Sequence, residues 1–569
     1  MASPLWPPPT MIASYSTGTP GSIRGAKSTT LPLTTVHGRF KFRLRPGQGP
    51  NTFKEGKLAQ ATAAAELLAE KRKLRKSLFR WDLIFFTVSA IVALDTLGAV
   101  SSQGAQAIFW LVVSAITFLI PYGLLTAELG TAFPVEGAAY EWVRLAFGHL
   151  AGAVTAVMYW ISNPVWLGGT LAVTAIAAID IFWGAPFGGV AKTGWLEFVA
   201  GALFIWIAVT WNILSLRYMK WVPNLGSIVR LSLLGLFAIL VIATLIAGKA
   251  QGSLGGWQPT SGVFISVIGV LVFAWVGFEL STNASEEMEN PQKDVPRMVV
   301  FSGLISAAAY AVPIIGVLLV VSAKDLTNVG SFVAAYQTVV SNVLGGTGAN
   351  ILNFFVGLAI VFSLLTSGTV WLMGADRMMA IGALAGSGPK GLGRFSKRFG
   401  TPVPVNVTSG ILATVFLLAV VIVNHVYSGG NLALLFSVVL SIAISTTTFS
   451  YLFIFPALIV LRYKFPNAAR SYRVPGGMVG VWIVGVITWL YALAATVFSL
   501  WPGLLTSTVT GQAGGVDRAP FEITVLVTMG IVIAVGVVFY FIGKGHAVFE
   551  VLPGEAAPVT PEMVGVHRS

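Results

Sequence analysis

The chain has 569 residues, 55% hydrophobic and 10% charged, with mean hydropathy +0.81, whereas soluble domains carry roughly 25% charged residues. That balance excludes a soluble enzyme. The net charge of +13 would suggest nucleic acid in a soluble chain, but its placement decides the matter here, and the absence of cysteine excludes disulfides, thiolate metal sites and cysteine nucleophiles.

Residues 1–57 are rich in Pro, Thr, Ser and Gly, with no apolar segment behind a basic start, so they are expected to form a disordered cytoplasmic tail without a cleavable signal. Residues 58–80 are predicted to form a basic juxtamembrane helix. Its Lys71, Arg72, Lys73, Arg75 and Lys76 abut the first apolar stretch and would attract anionic membrane lipid at about 1 kcal/mol per charge.

A membrane-crossing helix needs about 20 mostly apolar residues, because lipid offers no partner to unpaired backbone groups. Twelve such stretches follow, spans 1 to 12, at 82–107, 108–130, 150–176, 196–215, 223–248, 262–287, 299–322, 351–376, 406–424, 431–460, 477–500 and 521–542. None alternates like a barrel strand, so the fold class is an all-α integral membrane protein. With a cytoplasmic N-terminus, the 35 basic residues divide as 14 in residues 1–80, 16 in later cytoplasmic segments, four outside (Lys192, Lys249, Lys324, Arg518) and one, Arg230, within span 5. That bias is positive-inside and predicts a multi-pass protein of the cytoplasmic membrane with both termini cytoplasmic. The C-terminal tail, 544–569, carries no signal of its own.

GSGPKGLG at 386–393 lacks the Lys-Ser/Thr ending of a phosphate-binding loop, so ATP-driven pumping is not expected. The five histidines are scattered without ligand spacing, so neither a metal, a cofactor nor a histidine-based catalytic set is expected. Basic residues are not interleaved with aromatics on a soluble domain, which argues against nucleic acid.

An ionisable side chain at mid-membrane costs about 2.5–3.5 kcal/mol on insertion scales, so it is a functional candidate. Asp95, Glu128, Arg230 and Glu279 qualify. Asp180, Glu197 and Glu522 sit near span ends, where a solvated role is expected. Asp95 is followed by Thr96, Gly98, Ser101 and Ser102 in span 1. Glu279 sits beside Gly277 and before Ser281, Thr282 and Asn283 in span 6. This pairing is the pattern of two discontinuous helices at equivalent places in an internal five-helix repeat. Free amides at a half-helix start suit a carboxylate, and free carbonyls suit an ammonium.

Three motifs in register then point to a family. GFELSTNASEEMENPQKDVPR at 277–297, ELGTAFPVEGAAYEWVRLAFG at 128–148 and RVPGG at 473–477 resemble the amino acid-polyamine-organocation permeases. Spans 2 and 3 are similar in particular to the glutamate/aminobutyrate exchanger branch. The resemblance implies a LeuT-type fold, with residues 81–248 (spans 1–5) and 261–460 (spans 6–10) as inverted repeats and 477–543 (spans 11 and 12) peripheral. It implies a secondary transporter, not an enzyme, that moves amino acids by alternating access to a site at the breaks in spans 1 and 6. Carried over by position, Ala93, Leu94 and Asp95 would form the span 1 break, with Thr96 and Gly98 beside it. Ala274, Trp275, Val276, Gly277 and Phe278 would form the span 6 break, Trp275 capping the substrate from outside. Tyr159 and Asn163 of span 3 and Trp371 of span 8 would face the site. Asp95, Arg230 and Glu279 would be the coupling and gating groups, with H+ as a possible coupling ion.

Two departures from the family pattern matter. Relatives carry G-x-G where this chain has Ala93-Leu94-Asp95. Two readings of Asp95 stay open: it pairs with Arg230 as a structural couple, or it binds a substrate ammonium, which would make the substrate an amine or polyamine. Arg230 stands where many relatives have lysine, and an arginine cannot release its proton, so it is expected to be a fixed counter-ion. Glu128 is expected to hydrogen-bond neighbouring helix ends, and the acidic run Glu286, Glu287, Glu289 and Asp294 to be mainly a solvated loop with helix-cap roles, the second reading being an ion-pair network at an inner gate. A nutrient sensor that binds without transport would keep the same site.

Overall fold

A computed structural model describes residues 62–547, apart from 75, 77, 188, 191–192, 215–220, 323–325, 327–329, 428–431, 503 and 505–517. The expectations for residues 1–57, 58–61 and 548–569, and for Lys192 and Lys324, lie outside the described residues. Among the described residues the regular structure is helical, and the extended pairing is two isolated bridges, Leu78 with Met288 and Glu136 with Ala284.

Eleven helices are long and apolar enough to cross a membrane, and the pair Arg80–Ile91 and Leu94–Ser101, bent by 41°, makes a twelfth. They match the twelve expected spans in order. Span 3 runs His149–Gly184 and span 8 Gly346–Ser387, well past the expected ends, because no breaker stops either helix at the bilayer edge. Two short helices were not anticipated, Ala138–Phe147 between spans 2 and 3 and Ser331–Val343 between spans 7 and 8. Each is too short to cross. Burial sorts the spans: the apolar windows of spans 6 and 10 are each 78% buried, and that of span 12 only 22%, so span 12 packs on the outside, against span 3.

Span 1 divides into half-helices 1a (Arg80–Ile91) and 1b (Leu94–Ser101), with Val92 and Ala93 extended between them. Span 6 divides into 6a (Ser261–Trp275) and 6b (Phe278–Thr282), with Val276 extended and Gly277 at φ +136°. The breaks are therefore narrower than expected. Leu94 and Asp95 are already helical, as are Ala274, Trp275 and Phe278, because only Val92 and Ala93 in span 1 and Val276 and Gly277 in span 6 leave the helical conformation. The two breaks touch: a Cβ on Gly277 would lie 3.1 Å from Ile91 Cγ1 and 3.3 Å from Ala90 Cβ. Glycine is required there both by φ and by this approach.

A helix end buried in an apolar interior leaves its last carbonyls without partners. Here three successive carbonyls of 1a are capped by side chains of other spans. Ser89 O accepts from Arg230 Nη1 at 3.0 Å and Ser367 Oγ at 3.2 Å. Ala90 O accepts from Trp371 Nε1 at 2.8 Å. Ile91 O accepts from the Tyr310 hydroxyl at 2.7 Å, which itself accepts from Ala93 N at 3.1 Å. At the other break, the Tyr122 hydroxyl accepts from Gly277 N at 3.1 Å and Phe278 N at 3.0 Å.

Candidate functional site

Asp95 is the second residue of 1b and Glu279 the second residue of 6b, so each half-helix that leaves a break carries a buried carboxylate in its first turn. The positive end of a helix favours an anion there. Asp95 Oδ2 accepts from Trp166 Nε1 at 2.8 Å. Glu279 Oε1 accepts from the hydroxyls of Tyr159 at 2.6 Å and Tyr451 at 2.5 Å. The remaining oxygens, Asp95 Oδ1 and Glu279 Oε2, are buried and accept no hydrogen bond, as is Asn163 Oδ1.

An aromatic wall joins the two carboxylates. Trp166 meets Trp371 at 5.8 Å and Phe273 at 5.9 Å, Trp371 meets Tyr159 at 6.2 Å, and Tyr159 meets Tyr451 at 6.2 Å between ring centroids. Tyr159, Asn163 and Trp166 follow at steps of four and three, which places them on one face of span 3. Thr96 bonds to Ala93 O and the Tyr310 hydroxyl, and Gly98 lies one turn further along 1b.

The expected Asp95–Arg230 couple is not formed. Arg230 is wholly buried, but its guanidinium is taken up by Ser89 O, Ser363 O at 2.5 Å, Ser367 Oγ at 2.7 Å and Thr366 Oγ1 at 3.3 Å. It thus ties the end of 1a to span 8, because the freed carbonyl of a broken helix and a run of hydroxyls offer better hydrogen-bond geometry than a carboxylate already held by an indole. Trp275 and Phe278 also differ from expectation. Trp275 donates to Ser114 Oγ at 2.8 Å and meets Tyr310 edge-on at 5.3 Å, and Phe278 packs on Tyr122 at 5.1 Å. Both rings thus serve contacts with spans 2 and 7, while Phe273, not singled out from sequence, joins the wall.

The acidic run is not a solvated loop throughout. Glu287 is buried and accepts from Arg377 Nη2 at 2.6 Å and Nε at 3.1 Å. Glu286 pairs with Lys71 at 2.6 Å, while Glu289 is exposed. Glu136 is wholly buried, 3.0 Å from Arg377 Nε. Burial, together with the Glu287 carboxylate, pushes the Glu136 carboxyl well above its usual range despite Arg377. Burial also raises Glu287, with Arg377 acting against it. Glu128 behaves as expected, accepting from Arg462 Nη2 at 2.8 Å and Val474 N at 2.7 Å and lying 3.2 Å from Arg470 Nε. Glu197 is buried against His425 Nε2 at 2.7 Å rather than solvated, because the ring covers it at the end of span 9. Among the described residues no group of three His, Cys, Asp or Glu could hold a metal ion.

Sequence reasoning missed Tyr122, Tyr310, Trp166, Phe273 and Tyr451. Trp166 had a signal, its spacing from Tyr159 and Asn163. The tyrosines had none, since what marks them is a hydroxyl reaching a break in another span.

Twelve spans, two of them broken beside a buried carboxylate, define a secondary transporter of the LeuT-type fold. The structure is similar to that of MhsT in complex with L-phenylalanine, with TM-score 0.54 and 16% identity, over 74% of this chain and 98% of that one. The chain belongs to the amino acid permease family, which matches residues 78–513, and the family is one of transporters, not enzymes. It is 27% identical to the probable agmatine/putrescine antiporter AguD of Lactococcus lactis, over 72% of this chain and 84% of that protein. It is 23% identical to a glutamate/gamma-aminobutyrate antiporter of the same species, over 75% of this chain and 84% of that protein.

Proposed function

We propose that this transporter carries a small amine with a cationic group at each end, held between Asp95 and Glu279, across the cytoplasmic membrane by alternating access. The observation that carries the reading is the pair of buried carboxylate oxygens, Asp95 Oδ1 and Glu279 Oε2, that accept no hydrogen bond. A buried polar atom without a partner is costly, and a substrate ammonium brings three donors. The wall of Trp166, Trp371 and Tyr159 suits the methylenes between two such groups, with cation–π attraction of about 0.5–2 kcal/mol at their ends. An amino acid would also need a receptor for its carboxylate. The starts of 1b and 6b, which could supply amides, each already hold an acidic side chain in the first turn, and like charges repel.

In this reading Ala93, Leu94, Thr96, Gly98, Ala274, Val276 and Gly277 supply the backbone around the substrate, and Asn163 Oδ1 a further acceptor. Arg230 is a fixed cation that braces the break, so flux is exchange or is coupled to H+ through Glu279 or Asp95. Residues 81–248 and 261–460 act as the two repeats, and the basic bias puts both termini in the cytoplasm. Resemblance to a probable agmatine/putrescine antiporter supports the amine over the amino acid.

Purified protein in liposomes, loaded with one compound and challenged with labelled putrescine, agmatine and a panel of amino acids, tests this. Expected is exchange of the diamines, lost in both Asp95→Asn and Glu279→Gln. Amino acid flux without diamine flux would return the substrate to the amino acid class, and binding without flux would make the protein a sensor.

A further inference from the structure

Away from the substrate site, at the end of the bundle where the loop after span 6 meets span 8, four separate elements converge on one ion cluster. Arg377 comes from span 8, Glu286 and Glu287 from the turn after 6b, Glu136 from the loop after span 2, and Lys71 from the helix before span 1. Backbone contacts close the same joint. Leu78 N donates to Glu287 O and Glu289 N to Leu78 O, at 3.0 and 3.2 Å, and Gly137 N donates to Asn283 O at 2.9 Å. These contacts bind 6b, an element of the broken span, to the parts around it, and Glu136, Asn283, Ser285 and Glu287 are all buried at the joint, as the residues of a shut gate would be.

The charges do not balance. Three carboxyls face two cations, and of the Arg377 hydrogens those on Nε and Nη2 point to Glu287 Oε1 and one on Nη1 to Met373 O. Lys71 takes Glu286. Glu136 is left with 0% exposure and neither of its oxygens accepts a hydrogen bond. A carboxylate so placed would lack water and would have beside it only Arg377 Nε at 3.0 Å, whose hydrogen is directed at Glu287, whereas the neutral acid would not pay for burying a charge.

We propose that Glu136 binds a proton while this gate is shut and releases it as the gate opens, so that acidity on this side of the membrane holds the transporter closed. Opening separates 6b from the loop after span 2, admits water to Glu136 and returns it to an ordinary carboxylate. The shut state therefore binds more protons, so it is favoured as pH falls and loses its advantage as pH rises. Burial and the neighbouring Glu287 act in this direction on Glu136, and Arg377 and Lys71 act against it. The inference rests on alternating access in the proposed function, but not on the identity of the substrate.

The chain has no cysteine, so one introduced thiol is a unique reporter. Ser285 is buried within the turn of the gate, its hydroxyl bonded to Thr282 O. Full-length Ser285→Cys protein in vesicles is treated from each side in turn with a membrane-impermeant maleimide over a range of pH. Labelling is expressed relative to the reaction of the same maleimide with a free thiol at each pH, because the thiolate is the nucleophile and its fraction itself rises with pH below a pKa of about 8.5. Expected is relative labelling from the gate side that rises with pH, by up to about 10-fold per unit, the limit for one linked proton. Adding Glu136→Gln, which imitates the protonated acid, should leave labelling low at every pH. Adding Glu287→Gln instead frees Arg377 to pair with Glu136, so the rise should move to lower pH, a shift that a merely structural role would not produce. Labelling independent of pH in Ser285→Cys, an unchanged profile with Glu136→Gln, or an unmoved profile with Glu287→Gln would each overturn the proposal. Because no substrate is added, failure here is distinct from failure of the diamine assignment.

Discussion

Tyr122 on span 2 seals the break in span 6, and Tyr310 on span 7 seals the break in span 1. Spans 2 and 7 hold the same place in the two repeats, so one phenol from each repeat completes the broken helix of the other. The symmetry is functional in kind: a broken helix in an apolar interior must find outside partners for the groups its own ladder no longer serves.

Replacing either tyrosine by phenylalanine keeps the ring packing and removes the hydroxyl. Tyr310→Phe strips partners from Ile91 O, Ala93 N and Thr96 Oγ1, and Tyr122→Phe from Gly277 N and Phe278 N. A buried group left without its partner costs about 1–3 kcal/mol. Thermal unfolding in detergent should therefore show both variants less stable, Tyr310→Phe the more so. Equal stability of all three proteins would mean that water replaces the phenols.

Arg230 occupies the space between the end of 1a and span 8 with a charge that no pH in the physiological range removes. A fixed guanidinium on Ser89 O, Ser363 O and two hydroxyls leaves nothing for a sodium ion to neutralise there. Exchange by the wild type should run equally well when sodium is replaced by choline. Arg230→Met should abolish it, since several acceptors then lose bonds worth about 1.5–3 kcal/mol each to a charged donor. A sodium requirement in the wild type would show that the cation at this place is not the arginine.

Trp166 orients Asp95 by its indole nitrogen and forms the end of the aromatic wall. In Trp166→Phe the apolar surface largely remains while Asp95 Oδ2 loses its donor. The carboxylate then turns more freely, and holding it still becomes a cost of binding substrate. The half-saturation concentration for labelled diamine should rise by roughly 10-fold, equivalent to about 1.4 kcal/mol, with expression unchanged. A variant with unaltered half-saturation would show that the indole contributes packing alone.

The span count, the paired breaks and the carboxylates Asp95 and Glu279 were legible in the sequence because each is a local signal. An apolar run shows through its length, and a charge within it stands out against every neighbour. What stayed hidden was the partner of each group. Arg230 lies some 130 residues from the span 8 oxygens that hold it, and nothing in its own stretch says whether it turns to Asp95 or to bare carbonyls. Glu286 and Glu287 illustrate the same limit: adjacent in a polar turn, one pairs with Lys71 and the other is buried on Arg377, a difference set by the helix before span 1 and by span 8. The tyrosines Tyr122, Tyr310 and Tyr451 looked like ordinary aromatic residues of membrane helices, since a hydroxyl's role depends on which backbone is broken opposite it.

Gly277 is the point where the two breaks meet, and its substitution separates backbone strain from loss of a contact. At φ +136° any side chain is strained by about 1–3 kcal/mol, and the new methyl group of Gly277→Ala would also press on Ile91 Cγ1 at 3.1 Å and Ala90 Cβ at 3.3 Å. Span 1 would have to withdraw from span 6 at the level where Asp95 and Glu279 share the aromatic wall. Diamine exchange should fall at least 10-fold in this variant and the unfolding temperature should drop. Gly235→Ala is the control, since that glycine lies inside span 5 with no atom within 4 Å of the added Cβ, and alanine favours the helix by about 1 kcal/mol. It should transport normally and be as stable as the wild type or more so. Normal exchange by Gly277→Ala would mean that the breaks tolerate being pushed apart, and that the close approach of spans 1 and 6 is not what holds the site together.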